Sequence, residues 1–336
     1  MDSIEYDVKM IQDYYDVVIV GGGPVGLYAG FRSALLFLRV HIVDKGQKWG
    51  RGFHVPCYHN VPTSPEGMAG KDVIKQLRKN IVLHQDYASI EDFVTIEAIT
   101  KSDDFFEIRG FYHPKKSERL YNSKVVVLAT GVVDRQPLIV GELKTIFPYA
   151  NNQLFCYCVL CDGHRVKGKN AAIIGSGKTA VLTALDLIHF KATKVTILTQ
   201  GKALFNGNET EERIHLRKQL ISNGVDVITD EIKSLFGVEN NRFGVQFSGG
   251  SEMIFEIAFS ALGLYKIHND LAIMLGGKID EIGYVIVDDN CRVLDKNDMP
   301  IPGLYAVGDV TQNWNQLMTG FGDADRAILH VWANYL

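Results

Sequence analysis

Twice along this chain a β-branched run ends in a glycine-rich turn and re-emerges as an apolar helix pattern. The first unit starts with the strand Asp16–Val20 and turns through Gly21, Gly23, Pro24 and Gly26. A helix pattern from about Leu27 to Leu38 follows, then the strand Val40–Val43, closing on Asp44. Strand, glycine turn, helix, strand and acid is the βαβ order that cradles a dinucleotide. Gly21 permits the tight turn, Gly23 lets the backbone approach a pyrophosphate, and Gly26 lets helix and strand pack closely. Asp44 follows at the spacing, roughly 20 residues on, where an acid accepts hydrogen bonds from a ribose.

The second unit begins at Ala171–Ile174 and runs through Gly175, Gly177 and Ala180. A helix pattern, Val181–Phe190, leads to the strand Lys194–Leu198. The letters around Lys178 resemble a P-loop, but that motif needs a glycine where Ala172 stands, so the P-loop reading fails. After the second strand come Thr199, Gln200 and Gly201, where an acid would bind ribose or arginines a 2′-phosphate. Only Lys202 is basic nearby. The second nucleotide fold is expected, but no pyridine-nucleotide specificity is written into it.

The 336 residues suggest two domains, or one interrupted by another, and 46% hydrophobic with 22% charged residues suits a globular protein with a sizeable core. A net charge of −4 carries no electrostatic footprint for nucleic acid or an anionic membrane. The apolar stretch Pro24–Val43 contains Arg32 and Arg39, so it reads as a buried helix and strand and not as a membrane span. The acidic first ten residues lack the basic and apolar regions of a signal peptide. Five cysteines, an odd number clustered around one spot, do not form a disulfide scaffold. A cytoplasmic protein with catalytic cysteines is the expectation.

Between the two glycine loops lie Cys158 and Cys161, followed by Asp162 and Gly163. A C-x-x-C pair cycles between dithiol and disulfide, although zinc sites use the same spacing. Cys156 groups three sulfurs, and a fourth ligand could come only from Cys57, Cys291 or a histidine such as His164. Zinc and iron–sulfur sites show two spaced pairs, so no metal is expected. At the start of a helix the first thiol, Cys158, is favoured as a thiolate, the attacking species in disulfide exchange. Cys156 reads as a small buried hydrophobe.

With these residues in this order the chain resembles the low-molecular-weight thioredoxin reductases and their flavoprotein relatives. The resemblance is carried by Gly21, Gly23, Gly26, Asp44, Ala129–Gly131, Cys158, Cys161, Asp162, Gly163, Gly175, Gly177, Ala180, Gly308 and Asp309. It implies an α/β fold of two Rossmann-like nucleotide-binding domains, the second inserted into the first. The FAD domain would be 1–131 and 262–336, and 132–261 would be an NAD(P)-binding-like domain carrying the cysteines. FAD would be held by Gly21, Gly23, Pro24, Gly26 and Asp44, with Asn60, Thr130, Gly131, Gly308, Asp309 and Gln316 elsewhere along it. Cys161 would face the flavin, Cys158 would attack the substrate disulfide, and Asp162 would relay protons.

By the same resemblance the partner is thioredoxin or a similar protein disulfide, and the chain is a homodimer. Members using NADPH carry a His-Arg-Arg run and a further arginine where this chain has Thr199–Gly201 and Asn206, and Asn315 and Gln316 replace an Arg-Gln pair. These departures leave NADPH in doubt and resemble variant branches that take electrons from ferredoxin or another donor. Two other functions fit the same residues: a flavin-dependent dithiol oxidase using oxygen, and a non-enzymatic flavin redox sensor. The intact cysteine pair argues against the ferredoxin–NADP reductase relatives, which keep the scaffold without it.

Overall fold

In the computed structural model, residues 13–311 and 314–335 are described, and the leading acidic segment weighed for a signal lies outside them. The chain divides into two compact units. One runs up to Phe53, then takes Asp72–Gly131 and everything from Ile267 onward; the other comprises His54–Lys71 and Val132–Lys266. The second has Val132–Lys266 as its longer segment. It also gathers His54–Lys71, a segment that sequence order places within the first.

The first unit is built on a sheet in the order Arg292–Leu294, Pro300–Ala306, Ser117–Leu128, Asp13–Val20, Val40–Asp44, Ala88–Asp92. Five of these strands are mutually parallel, from Pro300–Ala306 to Ala88–Asp92. Val17, Val18 and Ile19 are fully buried because both faces of the central strand are covered, which is why it reads as an unbroken apolar run. The first helix, Pro24–Leu35, starts three residues before the apolar pattern suggests, since the glycine turn feeds directly into its first turn. It packs on the last helix, Leu317–Tyr335, through the Tyr28 and Phe321 rings and an Arg32–Asp325 ion pair at 2.6 Å.

A polar cluster is built into this unit. Buried His41 shares a 2.8 Å hydrogen bond with Ser89 and lies under the Tyr15 ring. Tyr121 and Arg119 each donate to Glu91 at 2.6 Å. The His41 ring, 3.8 Å away, and these two donors hold the Glu91 carboxyl down to about 2 against its partial burial.

The second unit carries a five-stranded, wholly parallel sheet ordered Asp226–Ile228, Lys194–Leu198, Asn170–Gly175, Ile257–Ala261, Phe155–Cys156. Alternate residues feed opposite cores. Ala171, Ile173, Val195, Ile197 and Phe259 pack on one side, and Ala172, Ile174, Leu198, Phe155 and Ala258 on the other. An antiparallel sheet of Ile232–Phe236, Phe243–Phe247 and Glu252–Phe255 contributes Phe243, Val245 and Phe247 to the second core. Because the strands are parallel, everything that follows their C-terminal ends emerges at one edge. That edge receives both the cysteine pair and the second glycine loop, the usual place for ligands in such sheets.

Candidate active site and nucleotide loops

The redox pair is placed by the short edge strand Phe155–Cys156, whose register against Ala258 and Phe259 fixes where the chain leaves the sheet. Cys158 caps the short helix Val159–Asp162, with its Sγ accepting the Cys161 amide at 3.1 Å. Cys158 and Cys161 are joined as a disulfide, their Cα atoms 5.3 Å apart. Gly163 follows the helix, and glycine is required there because a Cβ would come within 2.5 Å of the Phe190 ring. Leu160, between the sulfurs, is exposed, so this face of the pair is open for a partner.

Asp162 is half-buried beside the disulfide. Burial pushes its carboxyl above the ordinary carboxylate range, against the opposing charges of Arg165, His59 and His164. Arg165 spans the floor of the site: Nη1 lies 3.4 Å from Asp162 Oδ1 and 3.2 Å from Cys156 Sγ, and Nη2 donates to the Gln153 carbonyl at 2.8 Å. Cys156 is buried as expected, and burial pushes its thiol far up, which keeps it out of the thiolate chemistry.

His59, Gln153, His164 and Arg165 complete the surroundings of Asp162, and sequence reasoning assigns none of them a role here. His59 arrives on a hairpin closed by backbone bonds between Tyr58 and Met68 at 2.8 and 3.2 Å. Only the acid–base spacing of Asp162 and Arg165, three apart on one helical turn, is a local signal. Among the described residues no group of acids, cysteines and histidines is arranged to hold a metal.

In the first glycine loop the three residues divide the work. A Cβ on Gly21 (φ +115°) would lie 2.3 Å from the Ala129 carbonyl oxygen, and one on Gly26 would lie 1.9 Å from that of Gly21. A Cβ on Gly23 meets nothing within 4 Å. Gly23 is therefore the glycine that faces outward. It caps a helix with Pro24 in its first turn, no acid there and no side-chain cap, so the positive helix end is left for an anion. Asp44 is pinned by the amides of Gly22 at 3.0 Å and Gly46 at 3.2 Å, at the end of its strand.

Thr130 Oγ1 donates to the His268 carbonyl at 2.6 Å, and Gly131 has φ +66° with open space where a Cβ would be. Gly308 packs on Val25, and Asp309 pairs with Arg51 at 3.2 Å. The Gln316 carbonyl starts the last helix by accepting from Gly320 at 3.0 Å. All of these belong to the first unit. Asn60 is exposed and belongs to the second, beside His59.

The second glycine loop is organised differently. Gly175 packs against Ala261 and Ala180 is fully buried, as the βαβ spacing requires. The Gly177 amide, at the entrance to the helix Gly177–His189, donates to the Leu204 carbonyl at 2.6 Å. Leu204 is anchored in the core, and the loop leading to it is fastened by Gln200 Nε2 donating to the Leu138 carbonyl at 3.1 Å. Nearby cations are engaged as well: Lys178 pairs with Glu212 at 2.6 Å, and Arg217 lies over the Phe205 ring and pairs with Glu209 at 3.2 Å.

No helix among the described residues is long and apolar enough to cross a membrane. One component of the alkyl hydroperoxide reductase of Staphylococcus aureus (strain MRSA252) is 27% identical over 98% of this chain, which spans only 60% of that relative's length. Ferredoxin–NADP reductase of Rickettsia conorii (strain ATCC VR-613 / Malish 7) is 25% identical, covering 95% of this chain and 91% of its own. The crystal structure of thioredoxin reductase from Streptococcus pyogenes MGAS5005 superposes with a TM-score of 0.78 at 22% identity, over 97% of this chain and all of that one, a likeness of fold. A family model described as pyridine nucleotide-disulphide oxidoreductase matches residues 15–327. The chain belongs to the pyridine nucleotide-disulphide oxidoreductase family.

Proposed function

We propose that this chain is an FAD-dependent disulfide oxidoreductase that passes two electrons through Cys158 and Cys161 to a disulfide on thioredoxin or a thioredoxin-like protein. The observation that carries the reading is the Cys158–Cys161 disulfide itself, open on its Leu160 side and backed by the raised carboxyl of Asp162. The family implies FAD together with a pyridine nucleotide. The first loop suits FAD: Gly23 offers open backbone at a positive helix end, Asp44 is fixed for a ribose, and Arg51 adds charge beside Asp309. FAD, when bound, supplies the two-electron chemistry.

The chain's own part is thiol–disulfide exchange. Two electrons and two protons convert the disulfide to two thiols. The Cys158 thiolate attacks the partner disulfide and forms a mixed disulfide, releasing one partner sulfur as a thiolate. The Cys161 thiolate then attacks Cys158, restoring the intramolecular disulfide and releasing the second partner sulfur. Each released thiolate takes up one proton, and Asp162 is placed to hold and deliver it.

NADPH is not the donor in this reading. The Leu204 carbonyl takes up the Gly177 amide where a pyrophosphate would dock, and Arg217 nearby is already engaged by Phe205 and Glu209. Ferredoxin or another non-nucleotide donor takes its place. A homodimer in the cytoplasm belongs to the same proposal.

The test is to purify the full chain, record its flavin spectrum, and mix it anaerobically with NADPH, NADH and reduced ferredoxin in turn. Bound FAD, bleached by ferredoxin but not by either nucleotide, is the expected result. A chain that binds no flavin refutes the proposal, and rapid bleaching by NADPH refutes the donor assignment. Cys158→Ser should abolish thioredoxin reduction and leave FAD in place.

A further inference from the structure

Asp162 is approached by an imidazole from a distant part of the chain. His59 Nε2 lies 4.0 Å from Asp162 Oδ1 and 2.9 Å from Gln153 Oε1. An amide oxygen only accepts, so the Gln153 contact keeps a proton on Nε2, the ring nitrogen that also lies 4.0 Å from Asp162. On the other side of the ring, Nδ1 faces Cys57 Sγ at 3.7 Å, and the His164 ring meets His59 edge-on at 5.3 Å. The charged and titratable groups around His59 are thus Asp162, His164 and Cys57, with Arg165 behind Asp162 at 3.4 Å.

The position of His59 is built. Its hairpin is closed at Tyr58 and Met68, and at Gly67, with φ +79°, a Cβ would lie 2.2 Å from Cys57 Sγ, so that only glycine fits the turn. About a quarter of the His59 side chain (24%) reaches solvent, against 19% for Asp162.

We propose that His59 is the proton-relay partner of Asp162, passing protons between water and that carboxyl group while the Cys158–Cys161 pair exchanges with a substrate dithiol or disulfide. The inference rests on the disulfide-exchange reading above. In reduction by an external dithiol, one thiolate attacks Cys158, the S–S bond breaks, and Cys161 leaves as a thiolate. Cys161 takes a proton from the Asp162 carboxyl, and the His59 imidazole passes one from water back to Asp162. The second external thiol loses its proton to solvent and attacks the mixed disulfide. Cys158 is released to be protonated in turn, so two hydrogens leave the dithiol and two arrive on the cysteines. His59 acts only through Asp162, which makes it a positioning and relay residue.

The test uses the full chain and dithiothreitol, with quench by alkylation and mass-spectrometric counting of Cys158 and Cys161. Rates measured from pH 5.5 to 9 are divided by the dithiothreitol thiolate fraction. In the native chain the corrected rate should fall as pH rises, because the relay has fewer protons to deliver to the leaving thiolate. His59→Gln should flatten that profile and slow exchange about tenfold at its acid end, less than the roughly 100-fold of a direct general acid–base group because His59 acts only through Asp162. In an Asp162→Asn background the same change should have no further effect.

Gln153→Met, which keeps side-chain length but removes the acceptor, should flatten the profile partly. Without any substitution, the His59 imidazole ¹⁵N resonances should shift between the oxidised and reduced chain. An unaltered profile in His59→Gln, a loss that multiplies with Asp162→Asn, or ¹⁵N resonances indifferent to the redox state would each overturn the relay. A native pair that does not exchange with dithiothreitol at all would instead overturn the disulfide-exchange reading beneath it.

Discussion

Replacing Gly23 with alanine separates cofactor binding from folding. The residue sits at φ −69° and ψ 175°, which alanine adopts freely, and its new Cβ would meet no atom within 4 Å. Losing glycine as a helix N-cap costs up to about 1 kcal/mol, and the stiffer unfolded chain returns about 0.4–1 kcal/mol. The flavin-free protein should keep its stability to within about 1 kcal/mol. A methyl group on the outward face would hold a pyrophosphate away from the first-turn amides. Each hydrogen bond to a charged group is worth about 1.5–3 kcal/mol, so losing two weakens FAD binding by at least about 100-fold. Gly26→Ala is the contrast, since its Cβ would lie 1.9 Å from the Gly21 carbonyl oxygen and must push helix from strand. It should cost about 2–3 kcal/mol or more of stability with or without flavin. Denaturant unfolding of both stripped proteins, with FAD titrated by fluorescence quenching, tests the pair. A Gly23→Ala protein that binds FAD normally, or one as unstable as Gly26→Ala, refutes the assignment of this loop.

Other parts of the molecule make equally definite demands. Glu91 is held at about 2 against an ordinary 4.5. A depressed carboxyl adds stability that is complete above the unfolded value and lost as pH falls from about 4.5 toward 2. Linkage sets this at about 3 kcal/mol at most, cut to about 1–2 by solvent screening. Denaturation midpoints measured from pH 7 to 3 should therefore fall less steeply in Glu91→Gln, and identical pH profiles would remove the cluster's electrostatic role. Gly67→Ala, strained at φ +79° and crowding Cys57, should lose about 2 kcal/mol or more of stability in the same assay and slow dithiothreitol exchange by displacing His59. Equilibrium dialysis should find no binding of NADPH or NADH to the flavin-loaded chain, and tight binding of either would show that the Leu204 carbonyl yields the Gly177 amide to a ligand.

What is legible in the sequence is what depends on short-range periodicity. The β-branched runs, the glycine spacings and Asp44 all lie within one βαβ unit, where backbone geometry dictates residue type directly. The apolar pattern puts the helix starts late, at Leu27 and Val181, because it begins one turn after the glycines that open the helices at Pro24 and Gly177. His59 and Asp162 are each visible, but no local pattern links a residue near 59 to others at 153–165. Their meeting depends on a hairpin packing onto the second unit. The same long-range contacts gather His54–Lys71 there, a grouping that chain order alone does not suggest.

The two glycine loops show why a motif and its occupancy are separate questions. Both have a first glycine pressed against a neighbouring strand, Gly21 on Ala129 and Gly175 on Ala261, and both begin a helix without a side-chain cap. They differ in where the outward amides point. A Cβ would meet no atom within 4 Å at either Gly23 or Gly177, but after the first loop an aspartate held by two amides waits at the end of the next strand. At Gly177 the amide is consumed by a main-chain carbonyl, the corresponding strand runs into Thr199, and Thr199 is buried. A carbonyl oxygen presents partial negative charge to a positive helix end, as a phosphate does, so in this structure the Leu204 carbonyl meets part of the demand of that helix end. Displacing it would also pull Leu204 out of the core beside Val181 and Phe259, at a cost of about 1.5–3 kcal/mol for exposing a leucine. A nucleotide binding there would have to overcome that cost and compete with the Glu212 and Glu209 carboxylates for Lys178 and Arg217, exposed pairs worth no more than about 1 kcal/mol each.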